Sequence, residues 1–301
     1  MKKYNNKNKK KQEHAEQYQV EEQTELLAFL LDALKSRSRN SVKSILARGQ
    51  VLVNDQVRTA FDYPLEPGSR VSIHKHKIIE KNSLKGLTIL YEDEDLLVVN
   101  KSTGLLSIAS DKEKEMTAYR QLTDYVRNRN PKNRVFIVHR LDRDTSGVMM
   151  FAKNERVKRL LQDSWKKVVK ERSYIALVEG NVKNKSGTIK SWLTESRTHK
   201  MYSSPFDNGG QHAVTHFKVI QSNHSCSLLE VNLETGRKNQ IRVHMQETGH
   251  SIVGDKKYGS KVNLIGRLGL HARILTFTHP ITGKELRFKT EIPSSFLAQS
   301  K

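Results

Sequence analysis

The chain has 301 residues, with 53 Lys and Arg against 32 Asp and Glu, for a formal net charge of +21. That length accommodates one sizeable core plus a small extra module. The charge points to a polyanionic partner, because clustered cations attract phosphate chains and release their counterions. The single cysteine, Cys226, excludes an intramolecular disulfide and any zinc site built on several thiolates. The first residues lack the pattern of a secretory leader, and the longest apolar run, Leu26 to Leu31, is too short to cross a bilayer. A reducing, cytoplasm-like compartment and no membrane contact are therefore expected.

Residues 1–22 are polar, and Lys2, Lys3, Lys7, Lys9, Lys10 and Lys11 repel one another, which predicts a disordered basic tail. Residues 23–75 read as a compact module. Leu26, Leu27, Leu30, Leu31 and Leu34 have helical spacing. A second helix is predicted from Ser38 or Ser41 to Gly49, with Val42, Ile45 and Leu46 inward and Arg39, Lys43 and Arg48 on the opposite face. Short strands at 51–53 and 57–59 follow, and a Pro67-Gly68 turn precedes a strand at 70–73. Residues 76–86 read as a basic linker to a larger domain spanning 87–301.

In that domain strands are predicted at 88–91, 96–100, 134–138, 147–153, 174–179, 213–220, 227–233, 270–278 and 285–289. Helices are predicted near 116–128, 155–170 and 238–248. Runs of strands with few helices between them indicate an α+β domain around a mixed or antiparallel β-sheet. No fixed-period repeat and no glycine-rich phosphate loop occur, so no nucleotide cofactor is expected.

Three segments carry chemistry. In Val138-His139-Arg140-Leu141-Asp142-Arg143-Asp144-Thr145-Ser146-Gly147, a charged loop lies between two apolar strands, a rigid base on which a reactive group can be placed accurately. Guanidinium groups beside Asp142 and Asp144 would favour an ionised carboxylate and grip phosphates. On spacing alone the same loop also reads as a salt-bridged turn. Thr235-Gly236-Arg237-Lys238-Asn239-Gln240-Ile241-Arg242-Val243-His244 follows a strand and opens a short helix. Its free amides and Arg237 could hold a phosphate, and Arg242 lies one turn further in. Tyr174 sits in a strand-like stretch, where tyrosine ordinarily packs into a core.

Together these segments resemble the RluA-type pseudouridine synthases. The loop 139–147 is similar to that family's signature, whose essential aspartate corresponds to Asp142 and not Asp144. Arg172 to Gly180 is similar to the segment whose tyrosine, here Tyr174, stacks on the target base. Gly236-Arg237 and Gln240 to His244 resemble the segment supplying the arginine, here Arg242, that pairs with the aspartate. Tyr91 to Lys101, Gly249 to Asp255, and Leu270 to Pro280 also follow the family pattern. The resemblance departs at Lys238-Asn239, where the family usually has Ser or Thr followed by His, and at Ser102, where it usually has Pro. Residues 23–75 resemble the small RNA-binding module of ribosomal-protein-S-four type, although Thr24-Glu25-Leu26 replaces its usual leading Arg-Leu-Asp.

The resemblance implies isomerisation of uridine to pseudouridine in structured RNA, most readily large-subunit ribosomal RNA, with tRNA as the alternative. It implies no cofactor and no metal, and the chain is expected to act as a monomer. Arg140, Arg143, Arg237, Lys238 and Gln240 are the expected RNA contacts around the site, with Arg39, Lys43 and Arg48 on the small module. Competing readings are a non-catalytic RNA-binding or assembly factor on the same fold, and a metal-dependent nuclease using His139, Asp142 and Asp144.

Overall fold

The computed structural model describes residues 16–54, 56–74, 84–111 and 113–301. The chain separates into two compact units, dividing after residue 83.

The first unit contains β1 (Glu16–Gln19), β2 (Thr24–Glu25), α1 (Leu26–Ala33), α2 (Arg39–Ala47), β3 (Val51–Val53), β4 (Gln56–Val57), β5 (Pro64–Leu65) and β6 (Arg70–Ile73). Its antiparallel sheet has the order β1-β6-β3-β4, and β2 pairs with β5. The Leu26/Leu30 stripe of α1 and the Val42/Ile45/Leu46 stripe of α2 bury against Val51, Val53 and Val71. Each such side chain contributes on the order of 1.5–3 kcal/mol on removal from water. Ser38 starts α2 by accepting a hydrogen bond from the Ser41 amide at 3.3 Å. Left-handed Gly49, with φ 65°, ends it.

Two expectations change here. The tail predicted over 1–22 does not extend that far: residues 1–15 lie outside the described residues, but Glu16–Gln19 pairs along β6, with Tyr18 opposite Val71. Tyr18 and the buried Val20 alternate with glutamines, so the strand's inward face is apolar although its overall composition is polar. The three cations of α2 also do not share a face. Arg48 is the C-cap residue, about 140° around the helix from Lys43 at 3.6 residues per turn, and lines a cavity with Arg37, Ser41 and Ser44.

The second unit contains β7 (Leu87–Glu92), β8 (Leu96–Lys101), α3 (Ala118–Arg127), β9 (Phe136–Ile137), β10 (Ser146–Ala152), α4 (Glu155–Asp163), α5 (Trp165–Val168), β11 (Val169–Glu179), β12 (Ser186–Glu195), β13 (Met201–Ser204), β14 (Gln211–Ser222), β15 (Cys226–Leu233), α6 (Gln240–Glu247), a 3-10 turn (Lys256–Tyr258), β16 (Leu270–Thr278), β17 (Glu285–Lys289) and α7 (Ser294–Gln299). An 11-stranded sheet runs β13-β12-β14-β15-β11-β16-β10-β8-β7, with β17 on β16 and β9 on β10. This is the mixed-sheet α+β class expected from the sequence. Among the described strand pairs of this sheet, β10 with β16 is parallel and the others are antiparallel.

Continuous apolar strands are explained by cover on both faces. Leu97, Val99, Met149 and Phe151 pack under Leu122 and Val126 of α3. The alternate set, Leu96, Val98, Val148 and Met150, packs under Val157 and Leu161 of α4. In β11, Ala176 and Val178 meet Ile241 and Met245 of α6, while Ile175 and Leu177 meet Phe296 near the C-terminus. The helix predicted over 155–170 is broken at Ser164, and β11 starts at Val169, where β-branched residues favour extension. β12 and β13 were not anticipated: β12 is polar along much of its length and only Ser191 and Leu193 in it are buried. Residues 75–83, most of the expected linker, lie outside the described residues, and Leu84 already packs on the second unit's core.

Candidate active site

Residues 138–145 leave β9 and return into β10 as an irregular loop pinned from several sides. The Ser107 hydroxyl donates to the Leu141 carbonyl at 2.7 Å and accepts from the Leu141 amide at 3.3 Å. The Thr145 amide donates to the Asp142 carbonyl at 3.2 Å, closing the turn. Lys101, fully buried, donates its Nζ to the carbonyls of Ser102, Leu105 and Arg143 at 2.7–3.0 Å. Burial pushes the Lys101 ammonium down to about 8, while Asp144 and Asp142 oppose that shift. The loop ends at Gly147, whose φ of 118° and contact with the Ala272 backbone leave no room for a Cβ. There β10 joins β16 in parallel.

Opposite this loop, α6 carries Arg242. Its Nε and Nη2 form a two-point pair with Asp255 at 2.6 and 2.8 Å, and its Nη1 donates to Asp142 Oδ2 at 3.2 Å. The Asp255 side chain is 1% exposed and that of Arg242 13%. Burial opposes the guanidinium charge, but Asp255 and then Asp142 outweigh it and hold Arg242 above its ordinary range. Asn239, just before α6, has a left-handed backbone (φ 53°) and donates its Nδ2 to the same Asp142 Oδ2 at 2.5 Å. This is why the helix expected over 238–248 begins at Gln240.

Asp142, Tyr174, Arg242, Arg140, Arg237 and Asn239 line one cavity of about 230 Å³. Tyr174 lies in β11, paired to Val231 on one side and Ala272 on the other. Burial, aided by Asp142, raises its phenol, and Arg172 opposes that. The sequence motifs therefore converge on one place: a carboxylate held by a guanidinium beside a partly exposed aromatic ring, in an arginine-lined cavity. Such a site can enclose a planar base and present it to an oriented carboxylate while the arginines meet phosphates.

The remaining expected RNA contacts divide. Arg140 and Arg143 are exposed on the loop, and Arg143 Nε donates to the Gly104 carbonyl at 3.2 Å. Arg237 Nε donates to the His212 carbonyl at 3.0 Å, and Lys238 pairs with Glu195 at 2.5 Å. Gln240 is corrected: it is buried and spent on the fold. Its Oε1 accepts from the Thr235 hydroxyl and the Arg237 amide, and its Nε2 donates to the Val214 carbonyl and Thr215 Oγ1. Both donors and both lone pairs are used, which leaves none for RNA. Arg39 and Lys43 belong to the first unit, where Lys43 Nζ lies 5.7 Å from the Phe61 ring centre. His139, half-buried, accepts the Met150 amide at Nε2 and packs on Trp165, so its ring serves the backbone of β10.

Sequence reasoning did not single out Lys101, Ser107, Asp255 and Tyr258. No local pattern marks them: Glu247 lies nearer to Arg242 in sequence than Asp255 does, and charged residues such as Lys101 and Asp255 ordinarily sit in water.

The family model described as RNA pseudouridylate synthase matches residues 95–247. The chain is 34% identical over 276 residues to an uncharacterized RNA pseudouridine synthase of Bacillus subtilis, YhcT, covering 89% of this chain and 90% of that one. It is 36% identical over 282 residues to an uncharacterized RNA pseudouridine synthase of Mycoplasma pneumoniae, covering 90% of each. A solved structure, human RNA Pseudouridylate Synthase Domain Containing 1, superposes with a TM-score of 0.57 at 27% identity, covering 71% of this chain and 86% of that one.

Proposed function

The chain belongs to the RNA pseudouridylate synthase family, and from that premise we propose that Asp142 is the catalytic carboxylate acting on a uridine of structured RNA, with large-subunit ribosomal RNA as the substrate. The observation that carries this reading is the placement of Asp142 at the arginine-lined cavity beside Tyr174, with its Oδ2 held by Arg242 at 3.2 Å.

The reaction breaks the bond from ribose to the base nitrogen, turns the base, and rejoins ribose to carbon 5. The uridine is flipped out of its stack, Tyr174 stacks on the extruded base, and Arg140, Arg143 and Arg237 meet the flanking phosphates. Asp142 acts on the sugar, either by attacking its electrophilic carbon or by removing a proton. Arg242 orients that carboxylate through its Nη1. The detached base is held in the cavity beside Tyr174 while it turns. This chemistry needs no metal or cofactor, so turnover is expected to survive excess chelator; loss restored by one divalent metal, on RNA shown to remain folded, would count against it.

The first unit is read as an RNA-binding module of ribosomal-protein-S-four type spanning residues 23–75. The module supports a ribosomal substrate, with Arg39, Lys43 and Arg48 touching phosphates from two sides of α2. The protein is read as a monomer of a reducing, cytoplasm-like compartment. The test is pseudouridine mapping of total RNA from cells with the protein, without it, and with Asp142→Asn. One or more large-subunit sites should disappear without the protein and stay absent with Asp142→Asn. Sites found only in tRNA would overturn the substrate assignment, and a fully active Asp142→Asn would overturn the residue assignment.

A further inference from the structure

Asp142 Oδ2 takes two donors, Asn239 Nδ2 at 2.5 Å and Arg242 Nη1 at 3.2 Å, and no donor is placed on Oδ1 among the described residues. The direction of the Asn239 amide is itself fixed. The Met201 backbone amide donates to the Tyr258 hydroxyl oxygen at 3.1 Å, and that hydroxyl donates to Asn239 Oδ1 at 3.0 Å. Tyr258 is fully buried. Its hydroxyl proton has Asn239 as its acceptor among the described residues, so Asn239 must turn its oxygen toward Tyr258 and its NH₂ toward Asp142. A one-way chain thus runs from the Met201 amide through Tyr258 and Asn239 to one carboxylate oxygen. The same residue adopts φ 53°, a conformation asparagine tolerates better than most residues.

We propose that Asn239 is a positioning residue that, together with Arg242, immobilises Oδ2 of Asp142 and so assigns Oδ1 as the oxygen that meets the substrate. The proposal rests on the reading of Asp142 as the catalytic carboxylate. Two donors converging on one oxygen remove rotation about the carboxylate bond and pull charge toward Oδ2. Arg242 alone leaves the plane of the carboxylate free to swing about a single contact. Asn239 supplies the second point without adding charge.

The test separates the side chain from the backbone. Asn239→Gly keeps the left-handed conformation and deletes the donor. Asn239→Asp keeps the shape and replaces a donor by a carboxylate facing Asp142. Tyr174, Arg140, Arg237, Lys238 and Arg242 line the cavity with Asp142, and Lys101, Lys257 and Tyr258 lie close enough to feel its charge, so the introduced carboxylate would be the new negative group at hydrogen-bond distance. Single-turnover rates at saturating enzyme are measured on a transcript carrying a uridine mapped as the wild-type product, across pH, with binding measured separately.

Asn239→Gly is expected to slow the chemical step roughly 10- to 100-fold, the range of one charge-assisted hydrogen bond, with RNA affinity changed less than a few-fold. Asn239→Asp should slow it at least as much and move the acidic limb of the rate profile to higher pH, because two adjacent carboxylates resist joint ionisation. Tyr258→Phe, which frees the amide to turn over, should fall between wild type and Asn239→Gly. The inference is overturned if folded Asn239→Gly keeps the wild-type rate, or if Asn239→Asp keeps both the wild-type rate and its pH profile. If the wild-type protein itself makes no pseudouridine, the functional reading fails instead.

Discussion

Acidification from pH 7 to pH 5 should destabilise this protein well before its carboxylates titrate, through two buried histidines. His244 in α6 is wholly buried, with Nε2 2.8 Å from Ser191 Oγ and Nδ1 2.8 Å from Thr215 Oγ1. His271 in β16 is 4% exposed and lies between Ser146 Oγ at 2.7 Å and Thr290 Oγ1 at 2.8 Å. Burial pushes both imidazoles down to about 4, and for His271 the nearby Arg267 and Arg273 push the same way. Their folded values lie below the unfolded value near 6.5, so the unfolded chain binds more protons between those limits. Stability is therefore fully present above pH 6.5 and is lost as pH falls towards 4. Linkage gives about 2 kcal/mol for each histidine between pH 7 and 5, or about 4 kcal/mol together. Half-buried His139, pushed down to about 3 by burial and Arg172, adds in the same direction. Urea midpoints at pH 7, 6 and 5 measure the effect. Repeating the series in high salt removes the contribution of general charge repulsion in a chain of net charge +21. A midpoint that stays flat to pH 5, or a shift abolished by salt, would refute the reasoning.

Asp255→Ala strips two of the three donors of Arg242 of their partner and leaves a buried guanidinium facing Asp142 alone. It should cost about 3–5 kcal/mol in urea unfolding and slow the chemical step, and a loss under 1 kcal/mol would contradict the buried pair. Lys101→Met leaves three loop carbonyls without their donor. Stability should fall by roughly 1–3 kcal/mol, and single-turnover rate should drop more than RNA affinity, because the loop that is loosened carries Asp142. An unchanged rate would mean that the loop is held without Lys101.

The sequence made the core elements legible wherever burial produced a period. Leu96 to Val99 and Val148 to Ala152 are apolar on both faces because α3 and α4 cover both sides. The strands β12 and β13 escaped notice because little of either is buried. At the site, the motifs pointed to Asp142, Tyr174 and Arg242, which the fold brings around one cavity. Their buried supports were not legible. Lys101 and Asp255 are charged residues that ordinarily sit in water, and nothing local to the sequence marks them as internal. Gln240 misled for the opposite reason. A polar residue between two arginines reads as an RNA contact, and only the three-dimensional positions of Thr235, Val214 and Thr215 show its amide to be fully occupied.

The parallel join of β10 to β16 ties together parts of the chain that are made far apart in time. Ser146 and His271, which meet there, are 125 positions apart, and Asp142 and Arg242 are 100 apart. Closing loops of that size is entropically costly and slow compared with helices and hairpins. Translation delivers residue 142 long before residues 255 and 271, so Asp142 emerges without Asp255 to anchor Arg242 and without the strand that fixes its loop. A growing chain therefore has no assembled pocket until most of it has been made. The sheet that carries the site is continuous only once β16 lies between β10 and β11.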